Sequence, residues 1–145
     1  MNPKHNADFV LDCSVAAAWC LVDEDRSYAD VAWTALEFQT AHVPAIWPFE
    51  LFNVLSVAQR QNRISPAQCA RFLDLLGMLR IEIESPPPLK GSNSISLINL
   101  AETYKLSIYD AAYLELAARR GLHLATLDKA LKKAASLYGV GLLAE

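Results

Sequence analysis

The sequence predicts an α/β fold, a parallel sheet covered by helices on both faces. Five short apolar runs alternate with longer stretches in which apolar residues recur every three or four positions, the periodicity of helices. Most of the short runs are almost wholly apolar, as expected of strands buried on both faces. With 145 residues, 53% of them hydrophobic, the chain is long enough to bury a core as a single domain over residues 1–145.

The first predicted elements are a strand, two helices and a second strand. The compact run Phe9–Leu11 ends at Asp12 and precedes the helix-favouring stretch Ser14–Trp19, as in a buried strand that leads into a helix. Arg26–Gln39 has the apolar spacing of an amphipathic helix. His42–Ala45 is the candidate second strand.

Two helices that open on a proline follow, and then a third strand. The first helix has Pro48 in its opening turn and runs to about Arg60. The second begins with Ser65, Pro66 and Gln68, which combine an N-cap, a first-turn proline and a reciprocal glutamine in a capping box. The alternating run Arg80–Glu84 then predicts a half-exposed strand at a sheet edge.

The proline-rich segment Ser85–Pro88 is interpreted as a surface connection, because the parts on either side are small for separate domains. Helical spacing and the stop signal Gly121 predict the remaining elements. They are two helices, a strand, a helix and a last apolar run: Ile95–Tyr104, Ile108–Arg120, Leu122–Thr126, Asp128–Leu137 and Leu142–Ala144.

Composition disfavours several classes of protein. The net charge of −3 creates no overall attraction to nucleic acid or anionic lipid, so any such contact must be local. The chain has no apolar run long enough to span a bilayer and no signal-peptide core, which predicts a cytoplasmic protein without a membrane partner. Three cysteines without a CxxC pair favour reduced thiols. Neither a Rossmann glycine motif nor a P-loop is present.

Four acidic residues fall where a predicted strand meets the next helix. Asp12 closes the first strand and Glu50 lies in the first turn after the second; Asp110 follows Ser107 at a helix start, and Asp128 follows the fourth strand. Parallel strands would bring them to one sheet edge, so we expect the carboxylates to converge. Helix capping is the alternative for each acid alone, because first-turn N–H groups favour acids.

Converging carboxylates repel one another unless a cation neutralises them. Oxygen ligands favour Mg²⁺ or Mn²⁺, and the scattered His5, His42 and His123 are interpreted as surface or satisfied strand histidines. A carboxylate-held divalent site is a recurrent apparatus for phosphodiester hydrolysis. Ser14 and Thr126, each two residues from an acid, are candidates to orient ligands or bind phosphate, or are plain capping hydroxyls.

Four segments in order, Phe9–Ser14, Pro44–Leu55, Leu106–Tyr113 and Leu124–Asp128, resemble the PIN domain, specifically VapC-type toxins. The resemblance implies an α/β/α sandwich around a parallel sheet of about five short strands. It also implies a Mg²⁺- or Mn²⁺-dependent endoribonuclease, a homodimeric toxin that a cognate VapB antitoxin neutralises. By matching motif it implies a metal-binding and catalytic set, assisted by Ser14 and Thr126, that consists of Asp12, Glu50, Asp110 and Asp128.

An acidic pocket repels RNA, so such a nuclease needs basic residues around it. The candidates, with solvated helix faces as the alternative, are Arg60, Arg63, Arg119, Arg120, Lys129, Lys132 and Lys133. Tyr109 is a candidate to stack on a base, although helix aromatics more commonly pack in the core. Large side chains that either join the core or face an antitoxin or second subunit are Trp33, Phe38, Trp47, Phe49 and Phe52.

Two other functions remain open at this point. A noncatalytic PIN-like interaction module would keep the acids for structure or for gripping a basic antitoxin segment. A Mg²⁺-dependent phosphotransfer domain is disfavoured, because Ser14 stands where a DxD motif needs an acid and Ser85 follows the third strand where a receiver needs its phosphoacceptor.

Overall fold

A computed structural model describes residues 8–21 and 26–144 of the chain. Within them the sheet is parallel throughout and has four strands, in the order β3-β2-β1-β4. The strands are β1 (Phe9–Leu11), β2 (Ala41–Val43), β3 (Ile81–Ile83) and β4 (His123–Ala125). The predicted α/β/α sandwich with a central parallel sheet is confirmed. The fifth apolar run adds one parallel bridge, between Leu142 and Leu124.

Helices flank the sheet and connect its strands. Those in the described ranges are α1 (Cys13–Cys20), α2 (Ser27–Ala35), α3 (Trp47–Arg60), α4 (Pro66–Gly77), α5 (Ser92–Tyr104), α6 (Ile108–Arg120) and α7 (Lys129–Tyr138). No helix in these parts of the chain is both long and apolar enough to cross a bilayer.

Three element boundaries differ from the predicted ones by more than one residue. The helix predicted to reach Gln39 ends at Ala35, where the backbone tightens into turns before β2. The second strand ends at Val43 because Pro44 has no N–H for the ladder. The fifth helix begins at Ser92, before the predicted start at Ile95. The prediction missed its first turn because that turn is polar and carries no apolar periodicity.

The core lies between the sheet and the helices that pack on it. Every residue of β1 is fully buried, as expected of a central strand covered on both faces. Helix α6 packs against β1 and β4, with Leu114 and Leu116 among its buried residues. The predicted edge position of β3 is confirmed, and its Ile83 is 55% exposed. This packing sets the first turn of α6 near the carboxyl end of the sheet.

Candidate active site

Asp12 and Thr126 lie side by side where β1 and β4 end. The backbone N–H of Asp12 donates to the carbonyl of Ala125 at 2.9 Å, which holds the two strand ends together. The Thr126 hydroxyl donates to Asp12 Oδ2 at 2.7 Å across 114 positions of sequence. Two acid-bearing segments thus meet at the carboxyl edge of the sheet, where open α/β folds place their sites.

The carboxylate of Asp12 is oriented by two hydroxyls. Besides Thr126, Ser14 Oγ donates to Asp12 Oδ2, at 2.6 Å. Each hydroxyl accepts a backbone N–H at 3.0 Å, from Leu127 at Ser14 and from Asp128 at Thr126. These N–H groups occupy hydroxyl lone pairs and aim both protons at Oδ2. Both hydroxyl protons are thus directed at Oδ2, and the backbone N–H of Cys13 also favours the ionised carboxylate.

Glu50 is tied to α6 by a tyrosine. It lies half-buried in the first turn of α3, and its Oε1 accepts from the Tyr113 hydroxyl at 2.6 Å. Sequence reasoning required a partner for this carboxylate but did not identify Tyr113. The sequence signal that could have identified Tyr113 is its spacing. It lies three residues after Asp110 and therefore shares a helix face with that acid.

The two remaining acids differ in how far they serve as helix caps. Asp110 is half-buried in the first turn of α6, and its backbone N–H donates to Ser107 Oγ at 3.1 Å. Asp128 is exposed and caps α7, since its Oδ1 accepts from the Leu131 N–H at 2.7 Å. The capping interpretation is therefore confirmed for Asp128, which keeps Oδ2 for other use.

Three of the four carboxylates have pKa values raised by the charge of another member of the set, and the fourth, Asp128, is one of the charges that act on them. Burial raises the pKa of Asp12, and the charge of Asp128 raises it further. Burial likewise raises the pKa of Glu50, with added effects of Asp12 and Asp110. The pKa of Asp110 is raised by burial and then by Asp128 and Asp12. The opposing groups are hydroxyls and a backbone N–H, not basic side chains.

Two neighbouring groups stay protonated beside this cluster. Burial raises the pKa of the Tyr113 hydroxyl, and the charges of Asp12 and Glu50 act in the same direction. Burial, followed by the same two charges, raises the pKa of the Cys13 thiol to about 12. Tyr113 is thus a hydrogen-bond donor to Glu50, and the Cys13 thiol is protonated at neutral pH.

Comparisons with known proteins identify the family. The family model of the PIN domain matches residues 9–137, a range that includes all four acids. This chain belongs to the PIN domain family. PAE2754 from Pyrobaculum aerophilum has a similar structure, with a TM-score of 0.66 and 23% identity over 88% of this chain and 86% of that chain. A toxin-antitoxin complex from Klebsiella pneumoniae is also similar, with a TM-score of 0.58 and 22% identity over 95% of this chain and 99% of that chain. No curated protein sequence matches the chain.

The candidate ligand atoms of this PIN domain are of the chemical type that hard divalent cations bind. Its ligand candidates are carboxylate oxygens that repel one another, which is the chemistry that Mg²⁺ and Mn²⁺ prefer. Across residues 8–21 and 26–144, no three His, Cys, Asp or Glu side chains form a ready metal-holding group. Mg²⁺ commonly keeps several waters and binds one or two protein carboxylates, so a closed set of ligands is not required.

Two of the predicted RNA contacts of the PIN domain form ion pairs within the chain. Arg119 binds Glu115 at 2.8 Å and Glu84 at 3.0 Å. Arg120 binds Glu84 at 2.9 Å and contacts His42 Nδ1 at 2.9 Å. Both arginines lie at the end of α6. They are about ten residues, or roughly 15 Å along the helix, from Asp110 in its first turn. Their charges are therefore largely used for internal pairing.

The other basic candidates lie closer to solvent or to the acids. Lys129 begins α7 directly after Asp128, which makes it the nearest in sequence. The Lys132 amine lies 5.4 Å from the centre of the Tyr28 ring. Arg60 ends α3. The other exposed members of the set are Arg63 and Lys133.

The histidines match their predicted structural role where the structure describes them. His42 is buried within β2, where its Nε2 lies 2.9 Å from Asp8 Oδ2, so it is a satisfied strand histidine. His123 is exposed at the start of β4. His5 lies outside the described residues.

Several aromatic residues leave the core and flank the acids. Tyr109 is 56% exposed beside Asp110, so the prediction that it packs in the core is wrong. Phe49, next to Glu50 in sequence, is 69% exposed, and both rings line a cleft of about 630 Å³ whose lining includes none of the four acids. Of the other predicted large side chains, Phe38 and Phe52 are exposed, Trp33 is half-buried and Trp47 is buried.

Proposed function

We propose that this PIN domain is a Mg²⁺- or Mn²⁺-dependent endoribonuclease that hydrolyses RNA phosphodiester bonds. The observation that carries the proposal is that Asp12, Glu50 and Asp110 all have raised pKa values, each through burial and the charge of at least one other acid of the set. Burying repelling charges without a basic partner is unfavourable, and a divalent cation offsets the cost. Carboxylate-held cations of this type are widely used to cleave phosphodiesters.

Each residue of the proposed site has its own task. Asp12, Glu50 and Asp110 would hold the cation, and Asp128 would act through Oδ2, directly or through water. Ser14 and Thr126 donate to Asp12 Oδ2, which favours the ionised form of that carboxylate against the effect of burial. When bound, a divalent cation polarises a phosphate oxygen and activates a water for attack.

Basic groups near the acids would attract the RNA backbone. Lys129 is the first candidate, because it follows Asp128 directly and is exposed. We assign smaller contributions to Arg60, Arg63, Lys132 and Lys133. Arg119 and Arg120 contribute least, since each is already paired with an acid. Because the net charge is negative, RNA binding would depend on these local charges and on the bound cation.

The catalytic proposal is tested with purified protein and single-stranded RNA in Mg²⁺, in Mn²⁺ and in EDTA. Asp12→Asn and Asp110→Asn are each expected to lower the cleavage rate at least about 100-fold, because each removes a cation ligand. Asp74→Asn on α4 is the matched control, since it neutralises an exposed acid outside the cluster. Circular dichroism checks folding. Cleavage that persists in both site variants would contradict the assignment.

We further propose that the chain is the toxin of a VapBC-type pair, a cytoplasmic homodimer that a VapB-like antitoxin neutralises. Two findings support this. The similar Klebsiella pneumoniae structure is a toxin-antitoxin complex. The exposed rings of Phe49 and Phe52 lie together, with centroids 6.4 Å apart, and form apolar surface of the kind that marks protein contacts; Phe38 is a further exposed aromatic.

Growth arrest on controlled expression tests the toxin proposal. Asp12→Asn should abolish the arrest, and co-expression of a cognate VapB-like antitoxin should relieve it. Light scattering reports whether the chain is a dimer, and mapping of RNA ends gives the target. Normal growth during expression of active nuclease would contradict a toxin role.

A noncatalytic PIN-like interaction module is the second candidate. The observation in its favour is that the described residues contain no ready three-residue metal group. In that case the acids would bind a basic segment of an antitoxin. The module would neither bind Mn²⁺ in calorimetry nor cleave RNA, whereas Asp110→Asn would still weaken antitoxin binding.

A further inference from the structure

Tyr113 is a fully buried tyrosine next to the acid cluster. Its exposed fraction is 0%, and its hydroxyl donates to Glu50 Oε1 at 2.6 Å. A phenylalanine would fill the same core position without a polar atom that needs a partner. The hydroxyl therefore has a specific use, and its partner is a carboxylate of the proposed site.

The hydrogen bond joins two helices that each carry an acid. Tyr113 and Asp110 are three residues apart on α6, so they lie on one face of that helix. Glu50 belongs to α3, 63 positions away from Tyr113 in sequence. The bond thus sets the position of the α3 carboxylate relative to the α6 carboxylate.

Glu50 needs this tie because its neighbours repel it. The negative charges of Asp12 and Asp110 both act on its carboxylate. A half-buried glutamate has three rotatable bonds by which it can turn towards water. The Tyr113 hydroxyl opposes this rotation by holding Oε1, which leaves Oε2 for a cation.

We propose that Tyr113 is a positioning residue for metal binding, whose hydroxyl holds Glu50 Oε1 so that this carboxylate takes part with Asp12 and Asp110 in binding a divalent cation, directly or through water. This inference rests on the proposed function. Groups that hold a ligating side chain in place typically change metal affinity or activity by about 10- to 100-fold when they are removed.

The test is Tyr113→Phe, which deletes one oxygen and keeps the ring. Calorimetry should show Mn²⁺ affinity lowered by about 10- to 100-fold. The kcat for RNA cleavage should fall while the KM for RNA stays unchanged. Tyr28→Phe is the matched control, because it also deletes a hydroxyl that donates a hydrogen bond, to the Leu143 carbonyl at 2.9 Å. The Mn²⁺ affinity of that variant should equal that of the wild type.

A double-mutant cycle with Glu50→Gln separates positioning from general packing. If the hydroxyl acts through Glu50, then Tyr113→Phe should lower Mn²⁺ affinity no further in the Glu50→Gln background. A full additional loss there overturns the positioning role. So does unchanged Mn²⁺ affinity of Tyr113→Phe in a protein whose wild type binds Mn²⁺ and cleaves RNA. A wild type that does neither overturns the proposed function and this inference together.

Discussion

Burial of Asp12 makes its ionised form unfavourable unless neighbouring groups stabilise the charge. Asp12 is 6% exposed, and burial and Asp128 both raise its pKa. Ser14 and Thr126 act in the opposite direction, since both donate to Oδ2. Hydroxyls stabilise the ionised form without neutralising it. Arginine would neutralise the carboxylate and occupy the space of an ion, so this choice of partners suits a site that recruits a cation.

Removal of one charge from the cluster should stabilise the metal-free protein. Asp110 has a pKa raised by burial and by two neighbouring acids, so its ionised form is less favourable in the fold than in the unfolded chain. In EDTA, Asp110→Asn is expected to raise Tm by roughly 2–5 °C in thermal unfolding followed by circular dichroism.

Millimolar Mg²⁺ should reverse that order. It should raise Tm of the wild type more than that of Asp110→Asn, because the variant lacks one of the proposed cation ligands. The control is Asp74→Asn, which should match the wild type in both conditions. An Asp110→Asn variant less stable than wild type in EDTA would mean that the cluster is not under electrostatic strain.

Helix ends were predicted correctly where residues close in sequence determine them. The capping box at Ser65 is present with both hydrogen bonds, and the last turn of α6 ends at Gly121 in the left-handed conformation. Boundaries that depend on tertiary packing were predicted less well. The second helix stops early at Ala35 because the chain must turn into β2, and no residue signals that turn.

The site was predictable in outline but not in its contacts. Strand ends and first helical turns identified the acids, because topology alone brings such positions to one edge. The hydrogen bond between Tyr113 and Glu50 joins α6 to α3 across 63 positions of sequence, and sequence spacing does not reveal such a contact. The pairing of Arg119 and Arg120 with Glu84 likewise depends on where the edge strand ends.

The capping box of α4 gives a prediction about one element. Ser65 Oγ accepts from the Gln68 N–H at 3.1 Å, and the Gln68 side chain accepts from the Ser65 N–H at 2.8 Å. Ser65→Ala should lower the free energy of unfolding by about 1 kcal/mol in urea denaturation. The control, Ser56→Ala in the interior of α3, should change it by less than about 0.5 kcal/mol. Equal effects would show that the cap does not stabilise α4.

Two groups of acids with shifted pKa values lie in different parts of the molecule. At the site, Asp12, Glu50 and Asp110 have raised pKa values. Away from it, hydrogen bonding to His42 lowers the pKa of Asp8. Burial acts to raise the pKa of Glu84, but Arg119 and Arg120 outweigh it and the net direction is down. The site acids thus oppose folding when ionised, and the paired acids support it.

The two groups predict opposite pH dependences for the metal-free protein. Acids with raised pKa bind protons more tightly in the fold, so their unfavourable contribution grows as pH rises above about 4 and through the folded pKa values. Acids with lowered pKa contribute stability above that range and lose it as pH falls through their folded pKa values. Stability in EDTA should therefore be greatest in mildly acidic solution and decline towards neutral pH. Urea midpoints compared at about pH 5 and about pH 8 measure the decline. Saturating Mg²⁺ should remove most of it, because the cation takes the place of the protons; a decline of equal size with and without Mg²⁺ would place its origin outside the acid cluster.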